Sequence, residues 1–193
     1  RNHSAEEIAE GLDFFGSYLD QDSGYDFASI ILFSLNKHVT NTLPLLEEII
    51  KTPVFPVKEY EIHLRNRKQN FTLSNRKVDV VARRRFRNLL FGDNHAYGHE
   101  LKSSDFDKVN RSEVIRFYED AYKAGNCRII LSGRVPDTLI SELNSRFGGN
   151  DWVGQNKTDP PVYKEISSGT KKHTIKKKAA LQSAIIIGRP LFN

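Results

Sequence analysis

Apolar residues at Ile8, Leu12 and Phe15 recur at helical spacing directly after Ser4-Ala5-Glu6-Glu7. That tetrad is a capping box: the Ser oxygen accepts from the amide three residues on, and the Glu reaches back to the Ser amide. The pattern predicts a helix ended by Gly16. Tyr18 to Asp22 and Tyr25 to Leu35 read as two strands around a turn at Asp22-Ser23-Gly24. The second carries Phe27, Ile30, Ile31, Leu32 and Phe33, so at least one face is expected in the core. Val39 to Ile50 predicts a helix with Leu43, Leu46 and Ile50 on one side, stopped at Thr52-Pro53.

From Val57 to Phe91 there is no Gly or Pro. Val57, Tyr60, Leu64, Phe71, Val78, Ala82, Phe86 and Leu89 form a helical stripe over an unusually long span. Poor helix formers at Ser74-Asn75 predict a bend or break there. Gly92 to Gly98 reads as a loop. Asn110 with Glu113 opens a helix to about Ala124, closed by Gly125. Cys127 to Ser132 predicts a short buried strand, and Asp137 to Phe147 a helix ended by Gly148-Gly149. Residues from Gly149 to about Ser168 lack periodicity and hold Pro160-Pro161, as a linker would. Lys172 to Lys177 and Leu181 to Ile187 read as two more strands. Strands and helices partly segregate, which predicts an α+β fold with one mostly antiparallel sheet backed by helices.

The 193 residues suffice for one domain, or one plus the start of another. Cys127 is the sole cysteine, which excludes an intramolecular disulfide and four-cysteine zinc sites. No apolar run approaches the roughly 20 residues of a membrane span. The chain contains no methionine, and Arg1 is expected to be a cut point. The net charge is only +5, but it is concentrated. Val57 to Leu90 holds ten basic and three acidic residues; Lys164 to Lys178 holds six lysines and one acid.

Few residues propose chemistry. His95 and His99 are four apart and followed by Glu100, but Gly92 and Gly98 argue for a loop whose histidines cap or pack. Asp20, Asp22 and Gly24 echo a calcium loop, yet its sixth and twelfth positions are Tyr25 and Ile31, not Gly and Glu. Cys127 sits in an apolar pattern and reads as a buried structural thiol. Arg83, Arg84, Arg85 and Arg87 surround their helix, so some must touch its core side. They read either as a solvated, ion-paired face or as an anion-lined contact surface. No interleaved aromatic platform of the kind that binds single strands accompanies them.

Several segments, taken in order, resemble the insulinase/pitrilysin zinc metallopeptidase family, whose motif is H-x-x-E-H. They are Ser4 to Glu10, Pro44-Leu45-Leu46 through Thr52-Pro53-Val54-Phe55-Pro56, Leu90-Phe91-Gly92 with His95-Ala96-Tyr97-Gly98, Val114 to Tyr118, Asn126 to Gly133, and Gln182 to Gly188. No one piece is diagnostic; the ordered set is fairly specific. The resemblance implies an α+β repeat over 1–149 lacking its first strands, a linker over 150–171, and the opening strands of a next repeat over 172–193.

By this resemblance the catalytic motif lies upstream of Arg1. The family's third zinc ligand, a Glu, aligns with Gln69-Asn70. Neither residue supplies a carboxylate, and no acid lies between His63 and Asn75. The resemblance therefore implies a non-catalytic domain that holds no zinc and no cofactor and has no catalytic residues. Its expected partners are peptide substrate and an active half of the same family, in a bacterial heterodimer, with Arg83, Arg84, Arg85 and Arg87 as contact residues. Neither a nucleic-acid partner nor a membrane span is expected. Two alternatives stay open: an active zinc endopeptidase whose motif lies upstream, and a basic nucleic-acid-binding domain. The compartment is not legible.

Overall fold

In a computed structural model, which describes residues 3–154, 172–178 and 180–189, the chain order is α1 (Ala5–Phe14), β1 (Tyr18–Ser23), β2 (Ala28–Phe33), α2 (Val39–Lys51), α3 (Val57–Ser74), α4 (Val78–Phe91), α5 (Arg111–Ala121) and α6 (Asp137–Phe147). The class is α+β. The described residues fall into two compact units, 3–55 with 111–154, and 56–110 with 172–178 and 180–189.

The first unit starts at the capping box. Ser4 Oγ accepts from Glu7 N at 3.2 Å, and Glu7 Oε2 accepts from Ser4 N at 2.8 Å. At the far end Gly16 turns left-handed (φ 61°), where a side chain would be strained. Ser17 N then bonds Leu12 O and Gly16 N bonds Asp13 O, each at 2.9 Å, the paired closure that glycine permits at a helix C-terminus. β1 and β2 pair antiparallel, with Tyr18 opposite Phe33 and Ser23 opposite Ala28.

α2 presents Leu43, Leu46 and Ile50 to α6, as their spacing predicts. Leu43, Leu139, Leu143, Phe147 and Trp152 form the buried cluster, with Leu32, Val39, Leu46, Ile50 and Ala124 packed against it. Each fully buried side chain of this kind contributes roughly 1.5–3 kcal/mol. Polar contacts fix the periphery. Lys51, itself almost buried, donates to Glu47 Oε1 (3.1 Å), Asp151 Oδ2 (2.6 Å) and the Arg146 carbonyl, so its three protons are all engaged. Arg146 returns to Glu47 Oε2 at 2.7 Å and to Glu142 Oε1 at 2.8 Å. Tyr118 of α5 donates to the Lys51 carbonyl at 2.7 Å.

One face of β2 meets the core as expected, through Leu32, while Ile31 and Phe33 on the other face, and Phe27 before the strand, are exposed. Among the described residues only two strands pair. Three expectations are corrected here. Residues 127–132 are not a buried strand: Ile129, Ile130 and Leu131 are exposed, and Cys127 is exposed too. Residues 172–177 and 181–187 form no ladder among the described residues. An apolar run becomes a strand only where a neighbouring backbone takes up its N–H and C=O groups. Finally, Trp152, inside the stretch read as linker, is a core residue. Its Nε1 donates to the Tyr122 carbonyl at 3.1 Å, and its ring meets Phe147 edge-on at 5.9 Å. Residues 155–171 of that stretch lie outside the described residues.

The second unit is built differently. The long apolar stripe is two helices, broken at Asn75-Arg76-Lys77, at and just after the poor helix formers Ser74-Asn75. Its members from Leu64 to Leu89 are only half-buried, and no apolar side chain of the unit's described residues is fully buried. Phe71 meets Phe106 at 5.3 Å, Tyr60 OH donates to the Val109 carbonyl at 2.8 Å, and Lys68 pairs with Asp107 at 2.6 Å.

Candidate functional site

The basic stretch resolves into α3 and α4, and α4 carries the four arginines singled out above. Residues 83, 84 and 87 are related by one and four positions, so a helix of 3.6 residues per turn sets them side by side. With Val80 and Phe86 they line an open groove of about 370 Å³. Arg85, two positions from Arg83, points elsewhere: it donates to Asn88 Oδ1 at 2.6 Å and Glu100 Oε1 at 3.3 Å. The structure thus brings three of the four together and separates the fourth.

The groove arginines are positioned, not loose. Arg83 pairs with Asp79 one turn earlier on the exposed face. Arg84 donates to Asn75 Oδ1 and lies 4.7 Å over the Phe71 ring. Stacking on an aromatic face leaves the guanidinium's edge donors directed outward, which suits recognition of a carboxylate. Arg87 is half-buried within the groove wall. The 172–189 segment approaches the same helix pair: Lys177 donates to the Asn75 carbonyl, and Gly188 packs against Phe86.

The loop after α4 is organised by a residue the sequence reading missed. Asn88 is buried; its Nδ2 donates to Asp93 Oδ1 at 2.6 Å and to the Gly98 carbonyl at 3.0 Å, and its Oδ1 accepts from Arg85. Gly98 passes so close to Gly92 that a Cβ would lie 2.1 Å from the Gly92 carbonyl oxygen, so only glycine fits. The Gly92 and Gly98 pair was the one signal of this closure in the sequence. His95 is part of the loop's packing. Its Nδ1 accepts from Tyr97 N at 3.0 Å, and its ring lies 4.9 Å from both Phe91 and Tyr97.

Gln69 and Asn70 sit exposed on α3, between Lys68 and Phe71. These residues do not fit a zinc ion. Both are amides, and the nearby carboxylate of Asp107 is held by Lys68 through both oxygens, at 2.6 and 2.8 Å. Among the described residues no group of three His, Cys, Asp or Glu side chains is arranged to hold a metal. No described helix is long and apolar enough to cross a membrane. Although Cys127 is exposed, partial desolvation by the surrounding protein pushes its thiol up, away from the thiolate form a nucleophile needs.

No family model and no curated protein matches the sequence. In structure the chain is similar to a crystal structure of a peptidase M16 inactive domain from Pseudomonas fluorescens, with a TM-score of 0.60 and 22% identity. The similarity covers 64% of this chain and 31% of that one, so the chain spans less than a third of that protein's length. What the two share is the fold: the chain has an M16, insulinase-like α+β fold.

A second surface went unforeseen because residues 127–132 were read as a buried strand. In the first unit Ile129 and Leu131 line an apolar groove of about 260 Å³ with Ile140, Leu143 and Phe147 of α6. No charged residue lines it.

Proposed function

We propose that this chain is a non-catalytic domain of an insulinase-type peptidase, contributing a wall that encloses peptide substrate and contacting an active half of the same family. The observation that carries the reading is the pair of amides, Gln69 and Asn70, on a helix of an M16-type fold where the resemblance expects a carboxylate ligand. A zinc site with three protein ligands does not survive loss of its only carboxylate. The groove of Arg83, Arg84 and Arg87, floored by Val80 and Phe86, suits a peptide with an acidic residue beside an apolar one. Arg85 belongs to the loop network and takes a supporting part.

The test uses the full-length gene product. Expected are no stoichiometric zinc by elemental analysis and co-purification with a chain bearing H-x-x-E-H. With that partner, Arg83→Glu/Arg84→Glu lowers cleavage of acidic peptides relative to neutral ones. One zinc per chain together with peptide hydrolysis by the isolated chain overturns the reading in favour of an active endopeptidase. Strong heparin retention with a steep salt slope, and no effect of the double reversal on peptide preference, supports a nucleic-acid binder instead.

A further inference from the structure

Two neighbouring arginines of the α4 groove differ in what already holds them. Arg83 Nη2 donates to Asp79 Oδ2 one turn earlier, and both side chains are more than half exposed. The pair is neutral as a unit, so an acidic ligand that approaches Arg83 meets a carboxylate already in place. Arg84 meets no carboxylate among the described residues. Its Nη1 donates to Asn75 Oδ1, an uncharged acceptor, and its guanidinium carbon lies 4.7 Å over the Phe71 ring. One nitrogen is spent on orientation, and the edge formed by Nε and Nη2 keeps its donors. Two parallel N–H groups on one edge of a planar cation match the two oxygens of a carboxylate. The ring behind the plane and the amide at its end fix where that edge faces.

Charge favours a ligand of the matching sign at this unit. Counted over described residues, the second unit holds 17 basic and 7 acidic side chains, against 8 and 15 in the first. An acidic segment is drawn to the basic unit before any contact forms. Val80, one turn before Arg84, and Phe86 supply apolar lining beside the cation.

We propose that Arg84 is the specificity-determining residue of this groove and takes the carboxylate of an acidic peptide side chain on its Nε–Nη2 edge. Phe71 and Asn75 are positioning residues. Asp79 restrains the preference by neutralising Arg83. This rests on the groove being the peptide site of the proposed function, and it adds which residue selects the ligand.

The test is binding to the full-length gene product, measured by calorimetry at about 0.05 M salt. Two peptides with blocked termini are compared, one with a single Glu between leucines and a twin with Gln in its place. The ratio of their affinities is the preference, and circular dichroism checks that each variant is folded. Expected in the unaltered chain is a preference of about tenfold for the Glu peptide. Arg84→Lys keeps the charge but loses the plane and the fork, and is expected to leave less than about twofold. Phe71→Leu lowers the preference and Phe71→Tyr, which keeps a ring face, retains it. Asp79→Asn raises it about threefold, because Arg83 then meets the ligand unopposed. Arg83→Gln lowers it, and adding Asp79→Asn to that chain restores it, as a neutral pair requires.

Equal affinity for the two peptides, or no binding of either up to about 1 mM, overturns the proposal. So does a preference that Arg84→Lys leaves intact, or one that Asp79→Asn does not raise. The non-catalytic reading stands on zinc content and a co-purified partner, which none of these variants touches, so the two fail separately.

Discussion

The two units of this chain reach order by different means. In the first, six apolar side chains are buried: Leu12, Leu43, Leu139, Leu143, Phe147 and Trp152. In the second, none of the described ones is, and the buried side chain of note is the amide of Asn88. The first is acidic and the second strongly basic. Apolar burial is insensitive to salt and tolerates polar variation outside it. A unit held by guanidinium stacking, ion pairs and one buried amide is sensitive to both. The contrast teaches that one chain can carry a body held by an apolar core and another held by polar and stacking contacts. Charge density that would weaken an apolar core collects in the unit whose described residues bury no apolar side chain.

The comparison is most easily broken at its apolar end. Leu43→Ala is expected to cost about 3 kcal/mol in denaturant unfolding, by lost transfer energy plus a cavity. Phe71→Ala, at a half-buried position of the second unit, is expected to cost clearly less. Equal losses would mean the second unit has a core of comparable weight. Next in size is Asn88→Ala, at about 2 kcal/mol, because the Gly98 carbonyl and Arg85 lose a buried partner. Faster amide exchange confined to 92–98 is the signature, and uniform exchange across both units would contradict it.

Lys51→Met sharpens the acidic side. The ammonium is nearly buried, but its carboxylate partners are partly solvated, so about 1–2 kcal/mol is expected rather than the larger cost of breaking a dry pair. Its pH signature follows from linkage. The hydrogen bond from Lys51 holds the Asp151 carboxyl below the usual range. Burial raises the Glu48 carboxyl, but hydrogen bonds from His3 outweigh that and hold it low. Depressed carboxyls stabilise the fold above their ordinary values, and that contribution disappears as pH falls through the depressed ones. An acid titration of stability is therefore expected to be shallower in Lys51→Met than in the unaltered chain. The ammonium runs the other way. Although burial opposes it, Asp151 and Glu47 raise its pKa, so its contribution is lost only as pH climbs above the ordinary lysine range. The smallest effect is salt. Raising it to about 0.5 M shortens the screening length to a few ångströms and is expected to speed amide exchange in α3 and α4 by a modest factor, because it screens the ion pairs that hold them, with α2 and α6 unchanged.

Much of this was legible along the chain. The capping box and Gly16 bounded α1, the 43-46-50 spacing faced α2 to its core, and the Asp137 to Phe147 helix has its expected ends. The break between α3 and α4 falls where Ser74-Asn75 predicted it. These are local features, decided by hydrogen bonds within a few residues. Residues 127–132 and 181–187 were misread because an apolar run records readiness to pair, not the presence of a partner. Trp152 was misassigned because nothing in its neighbours announces that a chain without periodicity returns to a core. Among the arginines, helical spacing already separates 83, 84 and 87 from 85. That Arg84 stacks on Phe71, and that Arg85 serves the Asn88 loop, needed the fold.

By itself, then, the sequence determined the helices, the hairpin, the α+β class, the concentration of positive charge, and the amides at Gln69 and Asn70. Each depends on periodicity, capping or side-chain identity, all properties of short stretches. Only the tertiary structure decided that the long stripe belongs to a unit whose described residues bury no apolar side chain, that three arginines share one groove, and that residues 127–132 are exposed rather than core. Those outcomes depend on which distant surfaces meet, and the same side chain is core or surface according to whether a neighbour arrives to cover it.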